Sequence, residues 1–343
     1  MPDRARVITQ FLDAAGWTSA EIKPLAGDAS FRRYHRVRRN GSVAILMDAP
    51  PDREDVRPFV RVANHLRGLG FSAPAILAAD EANGLLLLED FGDDTFTRLL
   101  AAGSSETALY QLAVDVLIHL HRLPVSAAVA PGVPPYDEGR LLDEALLLPD
   151  WFLPAVTGRP TSDELRATYA QVWTEALADI LAQPRTLVLR DFHVDNLMQV
   201  ADRQGLDACG LLDFQDAVVG PAAYDLMSLL EDARRDVTPS VKGEMLAYYL
   251  AKANPASAAT FTRDFAVLAA QRHAKVIGIF TRLDRRDHKS AYLRHIPRVW
   301  GLLNAALRHP ALAPVASWFQ RHVPPELRRA PAPGSRGSSH CAT

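Results

Sequence analysis

A chain of 343 residues, 48% hydrophobic and 23% charged, holds material for about two domains, each with its own core. Its formal net charge of −2 provides no overall basic field for nucleic acid, and no apolar run approaches the ~18 residues that a membrane span needs. The opening MPDRARVITQFLDAAGW places charges where a secretory signal has its apolar centre, and two cysteines in unlike contexts, Cys209 and Cys341, make neither a disulfide framework nor a zinc site. The expected location is the cytoplasm.

Residues 1–17 carry Val7, Ile8, Phe11, Leu12 and Ala15 at the spacing of an amphipathic helix. EIKPLAGD, FRRYHRVRR and SVAILMDAP, between residues 21 and 50, read as short strands, and Asn40-Gly41 between the last two is a hairpin signal. A helix is predicted from about Asp55 to Arg67, with Phe59, Val62, Ala63 and Leu66 on one face and Gly68 and Gly70 ending it. Two more strands follow, around Ala75–Ala79 and Leu85–Glu89. Beyond Asp94 the pattern turns helical. Leu109, Leu112, Val116, Leu117 and Leu120 form one stripe over 106–122. Thr161 and Glu164 stand in capping-box spacing before a second helix over 161–182.

One β-like island, Thr186 to Phe214, interrupts the helices, and helical patterns then resume to about Arg308. The closing PELRRAPAPGSRGSSHCAT, with much Pro, Gly and Ser, is expected to be disordered. The fold class expected is α+β: a small β-rich lobe over 1–90, a larger helical lobe over 91–323 and a tail over 324–343.

Within the island, TLVLRDFHVDNLMQV (186–200) is a strand, a polar loop and a second strand, and ACGLLDF (208–214) is a third. If the last two strands pair around ADRQGLD, Val200 faces Ala208, and the same register brings Asn196 to Leu212 and Asp213. Asp191 then stands on the loop above them. Two oxygen ligands beside a carboxylate suit a Mg²⁺ held partly by substrate phosphates. The remaining carboxylate is placed to deprotonate a hydroxyl that attacks a nucleotide's terminal phosphoryl group. His193 and Asp195 lie in the same loop, but no third triad member accompanies them, so His193 is read as a support.

Asp191, four residues and then Asn196, followed by LLDFQDA (211–217), resembles the catalytic loop and metal-binding segment of the protein-kinase-like fold in its aminoglycoside phosphotransferase form. The resemblance implies an ATP-dependent phosphotransferase with Asp191 as base and with Asn196 and Asp213 on magnesium. GPAAYDLMSLLED (220–232) resembles the helix that follows in that family, with Asp225 structural. More narrowly, GDASFRRYHRV (27–37), MDAPPDREDVRPFV (47–60), PPYDEGRLLDEALLLPDWFL (134–153) and KVIGIFTRLDRRD (275–287) together resemble bacterial anomeric N-acetylmuramate/N-acetylglucosamine kinases. An amino sugar as partner, phosphorylated on its C1 hydroxyl in cell-wall recycling, is what that implies. The same scaffold also serves other small-molecule kinases, aminoglycoside kinases among them, and a pseudokinase that binds nucleotide without transfer is a third reading.

The pattern departs from the family in two places. Leu189 stands before Arg190 where relatives have His. VAILMDAP offers Met47 where relatives often carry a lysine paired to a helix glutamate, and the next helix has no acid between Val56 and Gly70, only Glu54 and Asp55 near its start. The only lysine of the small lobe is Lys23. Backbone groups of the loop GDAS (27–30) and one arginine of FRRY, Arg32 or Arg33, are the expected phosphate contacts; the two arginines alternate across the strand, so at most one faces the nucleotide. By resemblance, adenine is expected at the connector LLLLEDFGD (85–93), on backbone groups of Glu89, Asp90 and Phe91. For the acceptor, eight basic residues between Gln271 and Trp300 oppose only Asp284 and Asp287, a charge that suits a sugar carboxylate and repels polycations. Arg282 is singled out, with Tyr136, Glu144 and Trp151 on the opposite wall.

Overall fold

Helix α1 (Arg4–Ala14) opens the residues described in the computed structural model, 4–25 and 31–334. Strands β1 (Glu21–Pro24), β2 (Arg33–Arg39) and β3 (Ser42–Asp48) follow, then α2 (Arg57–Gly68), β4 (Ile76–Asp80) and β5 (Leu85–Glu89). Next come α3 (Phe96–Ala101), α4 (Glu106–Arg122), α5 (Val125–Ala128) and α6 (Glu138–Leu147), a π-helical turn at Leu148–Phe152, α7 (Leu153–Thr157), α8 (Asp163–Leu181) and β6 (Arg185–Val188). The remainder is β7 (Leu197–Gln199), β8 (Cys209–Leu211), β9 (Val218–Pro221), α9 (Ala223–Leu230), α10 (Pro239–Ala253), α11 (Ala258–Arg285), α12 (Ile296–Ala306) and α13 (Ala313–His322).

Asn40 and Gly41 take φ of 48° and 81°, the left-handed pair that a tight two-residue hairpin requires. That turn sets the register from Arg39↔Ser42 to Arg33↔Asp48. The first five strands form one antiparallel sheet in the order β1-β2-β3-β5-β4. Side chains alternate across it. Val37, Ala44, Leu46, Leu85 and Leu87 are buried on one face with Phe11 and Leu12 of α1. The other face carries Tyr34, Met47 and Leu86, paired in one row.

The chain forms two compact units. One comprises the residues up to Pro134 together with Leu189–Val218; the other comprises Pro135–Val188 and everything from Val219. The division in packing falls at these points and not near residue 90, because helices beyond the sheet are tied to it. Arg61 and His65 of α2 donate to the carbonyls of Gly132 (2.7 Å) and Ala128 (3.1 Å), and Leu211 N–H donates to Ser72 O at 2.8 Å.

In the second unit α11 is the central helix, packed by α6, the π-helical turn, α9 and α12. It buries polar groups as well as apolar ones, Gln271, His273 and Lys275 at its middle and Asp284 near its end among them. The α8 cap differs from the expected one. Ser162 caps the helix, accepting from Leu165 N–H at 3.2 Å, because Thr161 spends its hydroxyl on the carbonyl of Pro149. The first half of the tail is also held, against its composition. Pro325–Leu327 forms a 3₁₀ turn, Arg328 donates to Asn304 Oδ1 at 2.6 Å, and Gly334 N–H donates to Asp284 Oδ2 at 2.9 Å. Residues 335–343 lie outside the described ones. Among the described residues no helix is long and apolar enough to cross a membrane.

Candidate active site

The loop 189–196 is pinned by its own apolar residues, Phe192 and Val194, 2% and 1% exposed. Hydrogen bonds close it from within: Asp191 N–H to Leu189 O and Asn196 N–H to His193 O, both 2.9 Å. Thr97 of α3 anchors its far side, with N–H to Val194 O at 3.2 Å and its hydroxyl donating to Asp195. Arg190 takes φ 68°, a left-handed conformation uncommon for a residue other than Gly, Asn or Asp. His193 is buried beside Asn196.

The β7–β8 hairpin then delivers the metal candidates. Leu197↔Leu211 pairs them, Val200 N–H donates to Ala208 O at 2.9 Å, and Leu212 N–H donates to Asn196 O at 3.0 Å. The chain leaves β8 with Asp213 at φ 57°, and the next residue, Phe214, stacks on Phe59 of α2 with centroids 5.0 Å apart. Asp213 is thereby fixed from both sides. Asn196 Nδ2 lies 3.4 Å from Asp213 Oδ2 and donates to Asp191 O at 2.9 Å. The three candidates thus form one group.

Arg32 joins them, and its placement answers the question left by FRRY. Its Nη1 is 3.4 Å from Asp213 Oδ1 and its Nε 3.3 Å from Glu54 Oε2. Tyr34, two residues on, lies on the same face and hydrogen-bonds Arg32, and Met47 pairs with Tyr34. Arg32 therefore approaches the cluster from the face where Met47 stands. Arg33 alternates to the opposite face, paired in register with Asp48, and is exposed. Lys23 is 64% exposed on β1 and pairs with Glu21 at 2.8 Å. The GDAS loop, expected to add backbone donors, lies outside the described residues.

Electrostatics marks Asp213 as under-compensated. Burial and the neighbouring charge of Asp191 push its carboxyl above the usual carboxylate range, against the lowering effects of Gln215 and Arg32. Gln215 Nε2 donates to Asp213 Oδ1 at 2.9 Å, while its Oε1 is buried and has no hydrogen-bond partner among the described residues. A carboxylate short of positive charge, an amide beside it and an unpartnered amide oxygen make a hard-oxygen donor set. Such a set fits Mg²⁺.

The connector side chains are occupied elsewhere. Glu89 accepts from Arg203, which lies over the Phe91 ring at 5.2 Å, and from Ala75 N–H at 3.1 Å. Asp90 takes a two-pronged contact from Arg36, 2.6 and 3.1 Å, and Arg36 also reaches Asp93 at 3.0 Å. Phe91 packs on Met198 and Val200, in space that Gly210 leaves open; a Cβ there would stand 2.8 Å from the Phe91 ring. Side chains at 89–91 brace the connector, which leaves backbone groups as the contacts available to a base.

In the second unit, Tyr136 and Glu144, both expected on the acceptor wall, are in contact with each other. Tyr136 is 1% exposed, donates its hydroxyl to Glu144 and packs edge-on against Tyr224. Its ring is covered by protein, so the expectation of an open aromatic wall is corrected: Tyr136 supports Glu144. Lys275 Nζ, 2.8 Å from Glu144 Oε1, and Gln271 complete the group. Sequence reading missed both, since a lone Lys or Gln in a long helix carries no signal of a partner on another helix. Arg285, Arg286 and Arg298 are each paired to an acid, and Arg272 donates to the Tyr224 hydroxyl. Arg282 is half-buried, and its Nε has no hydrogen-bond partner among the described residues. Trp151 lies half-buried in the π-helical turn.

This arrangement, a loop carboxylate beside an Asn/Asp pair on a hairpin in the same unit as a five-stranded antiparallel sheet, is that of a protein-kinase-like phosphotransferase. The model of the phosphotransferase enzyme family matches residues 21–261, and the chain belongs to that family. The chain is 34% identical to the N-acetylmuramate/N-acetylglucosamine kinase of Caulobacter vibrioides, over 95% of this chain and 99% of that protein. It is 39% identical to the like-named kinase of Pseudomonas aeruginosa, over 88% and 89%. Among solved structures, the ADP-bound aminoglycoside phosphotransferase APH(2'')-Ib superposes with a TM-score of 0.57 at 15% identity, covering 88% of this chain and 98% of that one.

Proposed function

We propose that this phosphotransferase moves the terminal phosphoryl group of ATP to the anomeric hydroxyl of N-acetylmuramate and N-acetylglucosamine, in cytoplasmic recycling of cell-wall sugars. The observation that carries the chemistry is the meeting of Asp191, Asn196, Asp213 and Arg32 in one unit. The kinases to which the chain is similar over nearly its full length support the choice of sugar.

In this reading Asp191 accepts the proton of the attacking hydroxyl, and the closed loop 189–196 holds that carboxylate in place. Asn196 and Asp213 would hold Mg²⁺, which supplies charge neutralisation on the phosphate oxygens when bound. Arg32 offers a guanidinium to the phosphates from the face where relatives carry a lysine, and its planar fork suits phosphate oxygens. Backbone groups around Glu89, Asp90 and Phe91 take the adenine. Arg282 receives the lactyl carboxylate that N-acetylmuramate has and N-acetylglucosamine lacks; Trp151 and Glu144 are the further acceptor contacts proposed.

Release of ADP, measured with each sugar and with kanamycin, tests this directly, with ³¹P NMR to locate the phosphate. Both N-acetyl sugars should stimulate ADP release and yield a C1 phosphate, and kanamycin should not. Arg282→Ala should raise the KM for N-acetylmuramate about tenfold or more, as the loss of a charged hydrogen bond does, and leave N-acetylglucosamine little changed. Equal losses on both sugars would remove Arg282 from charge recognition. Efficient kanamycin phosphorylation would overturn the acceptor, and nucleotide binding without sugar-stimulated turnover would make the chain a binding module.

A further inference from the structure

Two features are missing from the sequence pattern, a lysine on β3 and a glutamate inside α2, and the structure holds another Arg–Glu pair in the same unit. Arg32 and Glu54 lie 22 residues apart, one just before β2 and the other just before α2, and they meet at 3.3 Å. Their side chains are only 11% and 18% exposed, so the contact is not a solvated surface pair of negligible weight. The guanidinium divides its donors: Nε faces Glu54 and Nη1 faces Asp213. Tyr34 adds a third contact.

We infer that Glu54 is a positioning residue for nucleotide binding: it grips Arg32 through Nε and so aims Nη1, which meets Asp213 here, at a nucleotide phosphate. The inference rests on the reading of the Asp191–Asn196–Asp213 cluster as the nucleotide site. Its physical logic is that of a hand on a fixed wrist. An arginine has several rotatable bonds, and holding it ready for a phosphate costs conformational entropy. An ion pair to Nε removes that freedom before the nucleotide arrives. Glu54 can do this because it precedes α2, whose Phe59 stacks on Phe214 next to Asp213; the wrist and the metal candidate share one packed base. Asp213 holds Nη1 at 3.4 Å in this structure. A cation bound at Asp213 would replace the arginine there and release Nη1 to the phosphates.

The test is a double-mutant cycle on nucleotide affinity: Arg32→Ala, Glu54→Gln and both together, with Mg-ADP titrated calorimetrically, KM for ATP measured and melting temperature recorded for each. Glu54→Gln should weaken Mg-ADP and raise the KM for ATP about tenfold, with sugar KM unchanged, and Glu54→Asp should recover part of the loss. Arg32→Ala should cost more, and the double variant no more than Arg32→Ala alone, since the two act as one device. Unchanged Mg-ADP affinity in Glu54→Gln, with or without a fall in melting temperature, would overturn the inference and leave Glu54 a structural partner. Additive losses would also overturn it. If Arg32→Ala itself leaves nucleotide affinity intact, the phosphate role of Arg32 fails, and the two failures are told apart within one data set.

Discussion

Acidic side chains in the two units are compensated by neighbouring charge to very different degrees. In the second unit Glu231 is buried between His273 Nε2, at 2.6 Å, and Lys242. Burial alone would raise its carboxyl, yet the His273 hydrogen bond and the Lys242 charge outweigh it, and the net effect is below the ordinary value. Glu144, with Lys275, Tyr136 and Gln271 around it, is surrounded in the same way. Around Asp213 the balance is reversed. Its carboxyl is pushed up, a left-handed φ is held at Asp213 itself and at Arg190, and Gln215 keeps an unpartnered oxygen. Backbone strain of this kind persists only where the fold enforces it, and it gathers at ligand sites. The difference lies in charge compensation, since buried polar atoms without a partner among the described residues occur in both units, Gln215 Oε1 in one and Gln271 Oε1 and His273 Nδ1 in the other.

The contrast can be broken in either direction by one substitution per cluster. Asp191→Asn should lower kcat by about 10²–10⁴-fold, the usual contribution of a general base, while Mg-nucleotide affinity and melting temperature stay close to wild type. Unchanged turnover in the purified variant would take Asp191 out of the reaction. Glu231→Gln should do the opposite. Removing one partner of a buried charged group costs about 3–5 kcal/mol of stability, read as a lowered denaturation midpoint, while kcat per folded molecule is retained. The pH dependence carries its own sign. A carboxyl whose folded value is depressed contributes stability above its unfolded value, and that stability is lost as pH falls through the folded value. Wild-type melting temperature should therefore drop below about pH 4.5, and Glu231→Gln should flatten that part of the profile. A parallel profile in the variant would show that Glu231 is not the group responsible.

The parts of the site legible in sequence were those fixed by local geometry. Asn40-Gly41 dictates a hairpin, and the pairing of 197–200 with 208–211 follows from alternation once Val200 and Ala208 are matched. From that register alone Asn196 reaches Asp213. The Arg32–Glu54 contact was not legible, because both residues precede their elements and their meeting depends on how β2 and α2 are mounted on a common core. The Glu144–Lys275 pair was hidden for the same reason, and Lys275 read as one charge in a basic stripe. Composition misled at residues 324–334. A Pro- and Gly-rich segment is held there by Asp284, a buried carboxylate that needs donors and takes one from the backbone of Gly334. The same appetite for hydrogen bonds moved the α8 cap from Thr161 to Ser162.

The most direct test of the central claim, that the under-compensated cluster is the metal and nucleotide site, is a Mg²⁺ titration of nucleotide affinity in Asp213→Asn. The substitution keeps the volume of the side chain and removes its charge, which separates ligand binding from packing. Mg²⁺ should tighten ADP binding to the wild-type protein and have little effect on the variant, whose melting temperature should be no lower than wild type because a carboxylate short of compensating charge has been removed. Mg²⁺-dependent affinity retained in the variant, together with a lowered melting temperature, would make Asp213 a structural residue and contradict the account.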